Sequence, residues 1–419
     1  MRVRYPYIYD VFSLLLYFAA FIFVDILSKP ISIALLGYII TQYLVLFNRF
    51  WHNQLTLIYL FFSFTYIAYI QLYYYFEIPY HYLLETQSLI NTNTVLILHT
   101  IFTTLIFLGQ SEGFQNFRNI QPRKSPPIFF TNILILLIML PISVVLSPPE
   151  LGQNYSGEVQ SSVWIEYCIV FMLVAGLYAF TPLEKKILFA VLMVYLLLPI
   201  LYDRRLQFIM YVLVIFALYL NGRFSNRFIF LGLVGCFVLI RWYASVRMGS
   251  GLSVLASIVS VDDKGVMGNN QGGVFVASTV YIQLIKDGVF DAVFAVKSLF
   301  GVLLSFMLPA SLNFTETYIN LSALNYRALP GNGGFPGVYF YLWGGIFGCL
   351  LGGLLFRHLL IGTGGRLAIA TSLLLFVTFP KWHSYSLLIT VKLGVWLMIF
   401  MALFDSLYRL SQRGSRDAE

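Results

Sequence analysis

The sequence predicts an all-α polytopic membrane protein with about twelve transmembrane helices and one long extracytoplasmic segment. Three observations predict it. The 419 residues are 59% hydrophobic and 11% charged, more apolar surface than a soluble core can bury. The apolar residues come in repeated runs of about 20, the length that crosses a hydrocarbon core of ~30 Å. The positive charges fall in alternate loops, as they do in chains threaded through a membrane.

The spans are expected at 8–27, 31–48, 54–76, 89–109, 128–147, 161–180, 185–201, 204–220, 227–244, 336–356, 366–380 and 384–405, within one integral membrane domain, 1–419. The first run follows Arg2 and Arg4, contains Asp25 and has no small-x-small cleavage site. It reads as a retained helix, not a removed signal. With both termini on the cytoplasmic side, the inner segments carry Arg2, Arg4, Arg49, Arg118, Arg123, Lys124, Lys185, Lys186, Arg223, Arg227, Arg357, Arg366, Arg409, Arg413 and Arg416. The short outer loops 77–88 and 148–160 contain neither Lys nor Arg.

One run departs from this scheme. "SLFGVLLSFML", 298–308, is bounded by Lys297 and Pro309. A helix of that length reaches about half way across the ~30 Å core. Counted as a crossing, it would put Arg357, Arg409, Arg413 and Arg416 outside. It is therefore expected to be interfacial or re-entrant, within a long periplasmic segment, 245–335. The basic balance, 26 Lys+Arg against 18 Asp+Glu, reflects these topology charges and calls for no nucleic acid. Cys168, Cys236 and Cys349 all fall inside apolar runs, without metal spacing or a pairing pattern, and read as packing residues.

Some cations stand on the side this rule disfavours. Arg204 and Arg205, in "YDRRLQF", face outward at the junction of the seventh and eighth runs. Arg241 and Arg247, in "LIRWYASVRMG", lie at the outer end of the ninth. Arg327 closes the long segment in "NYRALPGNGGFPG", and Lys381 and His383 share the outer turn "FPKWHSY". A single such cation is as readily a headgroup anchor, and Asp203 can pair with Arg204. As a set they point to an anionic ligand, because guanidinium groups bind phosphate oxygens two at a time.

Other features carry less weight. The Gly-rich stretch 329–337 lacks the Lys-Ser/Thr of a phosphate loop and reads first as a flexible entry into the tenth run. Lys392 sits inside the last run, where a charge points to function or snorkels to the interface. Glu166, Asp25 and His99 raise the same question more weakly. The aromatic stretch 71–84 reads as an interfacial belt before a sugar platform. Glu316, in "NFTETYINL", and His383 are the outer-face candidates for a general base. The pair Asp262–Asp263, in "SVDDKG", is of a kind commoner in solvated turns than in cation sites. No metal or other cofactor is expected.

Three stretches carry a family resemblance: "YDRRLQFIMYVLV" at 202–214, "GVLLSFMLPASL" at 301–312 and "GNGGFPGVYFYLWGGIFGCLLGGLLF" at 331–356. With the span count and the late outer segment, they resemble the Wzy-type polymerases of bacterial O-antigen and exopolysaccharide synthesis. The first stretch looks like the family's basic residue opening a span. The last looks like its Gly/Pro-rich entry followed by a Tyr- and Gly-bearing helix. The family often has a serine before that basic residue. Here Asp203 and Arg204 stand there, so either Arg204 or Arg205 occupies the basic position.

The resemblance implies a metal-independent glycosyltransferase in the bacterial inner membrane. It would move a growing glycan from undecaprenyl pyrophosphate to one lipid-linked repeat unit on the outer leaflet, with inversion or retention. The pyrophosphate leaving group would be met by Arg204, Arg205, Arg241, Arg247, Arg327 and Lys381. His383 or Glu316 would be the catalytic base. Its partners would be the two lipid-linked glycans, the membrane lipid and a chain-length regulator. An O-antigen ligase uses the same donor and stays open as an alternative. A lipid-linked oligosaccharide flippase or secondary transporter is the alternative of another class. Against that class stand the lack of an internal repeat and of paired broken helices in the sequence.

Overall fold

The computed structural model describes residues 4–77, 87–114, 122–146, 163–201, 205–247, 270–305, 333–361 and 365–416. Among them the regular elements are helical. In chain order these are α1 (Arg4–Ile22), α2 (Lys29–Arg49), α3 (Gln54–Tyr75), α4 (Leu89–Ile106), α5 (Pro126–Leu146), α6 (Val163–Tyr178) and α7 (Pro182–Leu201). There follow α8 (Arg205–Ile215), α9 (Asn226–Arg247), α10 (Asn270–Lys286), α11 (Ala292–Ser305), α12 (Pro336–Ile361), α13 (Gly365–Val377) and α14 (Leu387–Arg416). Each predicted span falls on one of them. By total length and composition alone, six of the described helices could cross a membrane: α2, α3, α4, α5, α12 and α14. Other apolar helices are shorter, at 10–17 residues.

Local sequence explains where many of them start. Asn53 caps α3 by accepting from Thr56 N at 3.0 Å, and Ser88 caps α4 by accepting from Asn91 N at 3.2 Å. Thr181 and Glu184 cap α7 reciprocally, around a proline at its first position. Asp291 caps α11 through Phe294 N at 2.7 Å.

The chain forms two compact units. The first comprises 1–113, 222–358 and 382–388. Its centre is α4, in which Asn91 through Ile106 are all buried. Helices α1, α2, α3 and α10 pack around it. The core is partly polar, and many of its polar groups are paired, as burial requires. Gln42 donates to Thr104 at 2.7 Å, and Asn93 donates to Ser32 at 2.8 Å. Arg49, one of the inner topology charges, pairs with the buried Asp10.

Two features of this unit depart from expectation. Between 245 and 335 the sequence singles out one apolar piece, 298–308, expected to be interfacial or re-entrant. There the chain forms α10 and α11. Val274, Phe275, Val276, Ala277, Tyr281 and Ile282 of α10 are buried, and the helix packs on α3 and α4. Helix α11 starts well before residue 298 and leaves Val293, Val296, Phe300 and Leu303 exposed on one stripe. Residues 306–308 lie outside the described residues.

The second feature is a break in α12. Gly344 and Gly345 leave the helical region, and Gly345 has φ 59° and ψ −151°, a conformation open essentially to glycine alone. The two arms fold back on each other. A Cβ at Gly348 would meet the Phe340 carbonyl oxygen, and one at Gly352 would meet the Phe340 ring. Residues 340 and 352 of a straight helix would be about 18 Å apart. Both arms also reach the Leu98 carbonyl oxygen. It lies 2.8 Å from a Cβ built on Gly337 and 3.5 Å from Cys349 Sγ. The expected span 336–356 is thus a helical hairpin, not one straight helix.

The second unit comprises 114–221, 359–381 and 389–419. Here α5 packs on α6, and α7, α8 and α13 complete the cluster. Tyr195 donates to Leu136 O at 2.6 Å and ties α7 to α5. At one end of α6, Arg123 pairs with Asp405 at 2.7 Å, and Tyr178 donates to the same carboxylate oxygen at 2.9 Å. Arg366 donates to Leu177 O at 2.6 Å and lies over the Tyr178 ring.

Candidate functional site

The segment between α13 and α14 carries the two candidates whose side chains are described. Phe379–Trp382 makes a single helical turn, and His383–Tyr385 a tight turn after it. Lys381 belongs to the second unit and His383 to the first.

Lys381 binds Glu166 of α6. Its Nζ lies 2.8 Å from Oε1, and Gln207 of α8 donates to the same oxygen at 3.1 Å. The carboxylate side chain is 7% exposed and the lysine 24%. Gln207 stands two residues after Arg205, the first residue of α8. Three segments far apart in sequence thus meet at one carboxylate. Glu166 and Gln207, polar residues inside apolar runs, are the signal the sequence offers for this cluster. Glu166 stands out there by its charge, whereas Gln207 does not.

His383 is fully buried. Its ring is enclosed by Tyr59 at 5.6 Å between centroids, Phe62 at 5.5 Å, Tyr66 at 5.9 Å, Phe335 at 5.9 Å and His99 at 4.8 Å. Neither of its nitrogens has a hydrogen-bond partner among the described residues. Burial, and then the neighbouring His99, hold its pKa well below the ordinary histidine value. The neutral ring is therefore favoured, and the same burial opposes its taking up a proton. His99 is anchored on its other side. Its Nε2 lies 3.0 Å from Ser63 Oγ and 3.4 Å from Thr103 Oγ1, and Ser63 continues to Tyr43 OH at 2.8 Å.

The glycine-rich entry to α12 packs onto this turn. A Cβ on Gly333 would strike the Tyr385 backbone, and Tyr339 OH donates to Tyr385 O at 2.8 Å. Phe335 N donates to Ser278 Oγ of α10 at 3.1 Å. Gly333, Gly334 and Phe335 are buried, so this part of the entry is packed, not flexible.

The other candidates stand as follows. Arg205 opens α8, Arg241 lies in the last two turns of α9, and Arg247 ends it, each placed by its backbone. Arg204, Arg327 and Glu316 lie outside the described residues, as do Asp203 and the Asp262–Asp263 pair. Among the described residues no group of three or more His, Cys, Asp or Glu could hold a metal ion.

No family model matches the chain, and neither does any curated protein or solved structure. The chemistry of the site therefore rests on its own residues. They offer a fixed ammonium beside the start of α8, and a neutral imidazole among aromatic rings. The first suits a phosphate oxygen, whereas the second is enclosed by its aromatic neighbours.

Proposed function

We propose that the chain is a Wzy-type polymerase of lipid-linked oligosaccharide repeat units, a multi-pass protein of the bacterial inner membrane with both termini cytoplasmic. It takes a glycan from undecaprenyl pyrophosphate and transfers it to a single lipid-linked repeat unit at the outer leaflet. The acceptor hydroxyl oxygen bonds to the donor's anomeric carbon. The bond from that carbon to the diphosphate breaks, and its electron pair leaves on the diphosphate. Glu316 or His383 takes the hydroxyl proton. Lys381 and the outward arginines, Arg204, Arg205, Arg241, Arg247 and Arg327, meet the charge on the leaving group without a metal.

The observation that carries this reading is the Lys381–Glu166–Gln207 cluster. It gathers a cation from "FPKWHSY" beside the helix opened by "YDRR", two stretches that sequence alone singled out for an anionic ligand.

A second reading, a lipid-linked oligosaccharide flippase, draws on the break at Gly344–Gly345, since transporters build sites from discontinuous helices. Deletion separates the readings. A polymerase deletion should leave single repeat units attached to the final carrier. A flippase deletion should trap single units on the inner leaflet. A ligase deletion should leave long chains on undecaprenyl pyrophosphate and a bare carrier. The measurement is a gel ladder of surface glycan beside an extract of lipid-linked intermediates. Either of the last two patterns would overturn the polymerase.

A further inference from the structure

A carboxylate inside an apolar helix must be compensated by charge and hydrogen bonds, or it destabilises the fold. Glu166 receives both at a single oxygen, from Lys381 Nζ at 2.8 Å and Gln207 Nε2 at 3.1 Å. The pair is asymmetric. Glu166 is 7% exposed and Lys381 24%, so the anion is the buried anchor and the cation the accessible member. An ammonium has three donors and Glu166 occupies one. A lysine side chain normally samples many rotamers, and this tether removes most of that freedom in advance.

We infer that Glu166 and Gln207 are positioning residues that hold Lys381 as a fixed, accessible cation for a diphosphate. The identity of that diphosphate as the lipid-linked donor's rests on the polymerase reading. The anion site itself does not. A merely structural ion pair makes a different prediction. It works equally well with its charges exchanged, whereas a presented cation does not.

The test uses the full chain, purified in detergent, with inorganic pyrophosphate as the probe. Binding is measured by equilibrium ultrafiltration and folding by the melting temperature. Lys381→Ala should weaken pyrophosphate binding about 10-fold or more, the scale of one charge-assisted hydrogen bond. Glu166→Gln should weaken it several-fold, and Lys381→Arg should largely retain it. The exchanged pair, Glu166→Lys with Lys381→Glu, should recover the melting temperature lost by either single change but not the binding. Should that double variant fail to fold, the neutral pair Glu166→Gln with Lys381→Gln replaces it, again with folding kept and binding lost. Recovery of binding in the exchanged or neutral pair would overturn the inference, and so would wild-type binding in Glu166→Gln. If the wild type binds no pyrophosphate while a deletion strain shows the single-repeat band, the site fails and the polymerase stands. The reverse outcome keeps the site and removes the polymerase.

Discussion

Asp10 and Arg49 make a two-point ion pair, with Nη1 and Nη2 each 2.7 Å from a different carboxylate oxygen. The Asp10 side chain is 1% exposed and that of Arg49 9%. Gly109 N donates to Asp10 as well, at 2.8 Å, so the carboxylate also fastens the residues after α4. Arg49→Ala would leave a buried charge uncompensated and should cost about 3–5 kcal/mol. Arg49→Lys should cost less, because a point charge keeps the attraction and loses the fork. Melting temperatures of the purified variants check this order. Equal losses for both would mean that the fork contributes nothing.

The hairpin in α12 depends on Gly345. Gly345→Ala forces a side chain into φ 59°, ψ −151°, and should cost about 1–3 kcal/mol. Gly348→Ala and Gly352→Ala should also destabilise, since the added methyl would meet Phe340 from the other arm. Gly235 in α9 is the control, because a methyl added there would meet nothing within 4 Å. Gly235→Ala should leave stability unchanged or raise it by up to about 1 kcal/mol. Thermal shifts of the four variants measure the contrast. A Gly345→Ala protein as stable as wild type would mean that α12 is not broken there.

His383 should make the fold pH-sensitive. Its folded-state pKa lies below the ordinary value, so the unfolded chain binds the extra proton as pH falls below about 6.5. Stability rises with pH wherever the unfolded state holds more protons. The melting temperature should therefore fall between about pH 7.5 and about pH 5.5, an interval that brackets the ordinary histidine value. His383→Gln cannot titrate and should show a smaller fall over the same interval. A fall of equal size in wild type and variant would assign the effect to other groups.

Membrane topology is open to chemical labelling. Cysteines placed singly at Ser250 and Asn332, in a background without the native three, should both react with an impermeant thiol reagent. The assay uses cells whose outer membrane alone is permeabilised. Helices α10 and α11, which lie between these two positions, then enter and return on one side. Labelling at one position only would mean an odd number of crossings between them and would overturn an extracytoplasmic placement of 245–335.

Much of the helix inventory was legible in the sequence because hydropathy is a local property. The run that became α2 is apolar between Lys29 and Arg49, and α5 is apolar from Pro126 onward. No neighbour need be known to read either. Helix α10 was hidden for the opposite reason. Gly272, Gly273, Ser278, Thr279 and Gln283 interrupt its apolar run, and its burial is supplied by α3 and α4. The break in α12 left no mark either, because paired glycines are ordinary in apolar helices. Only its backbone angles and the return of Phe340 onto Gly352 disclose it. The cations and His383 were visible as residue types in unusual places. That Lys381 meets Glu166, and that His383 turns inward to His99, was decided by tertiary structure. A partner's identity depends on which distant helix the packing brings alongside. No local pattern encodes that.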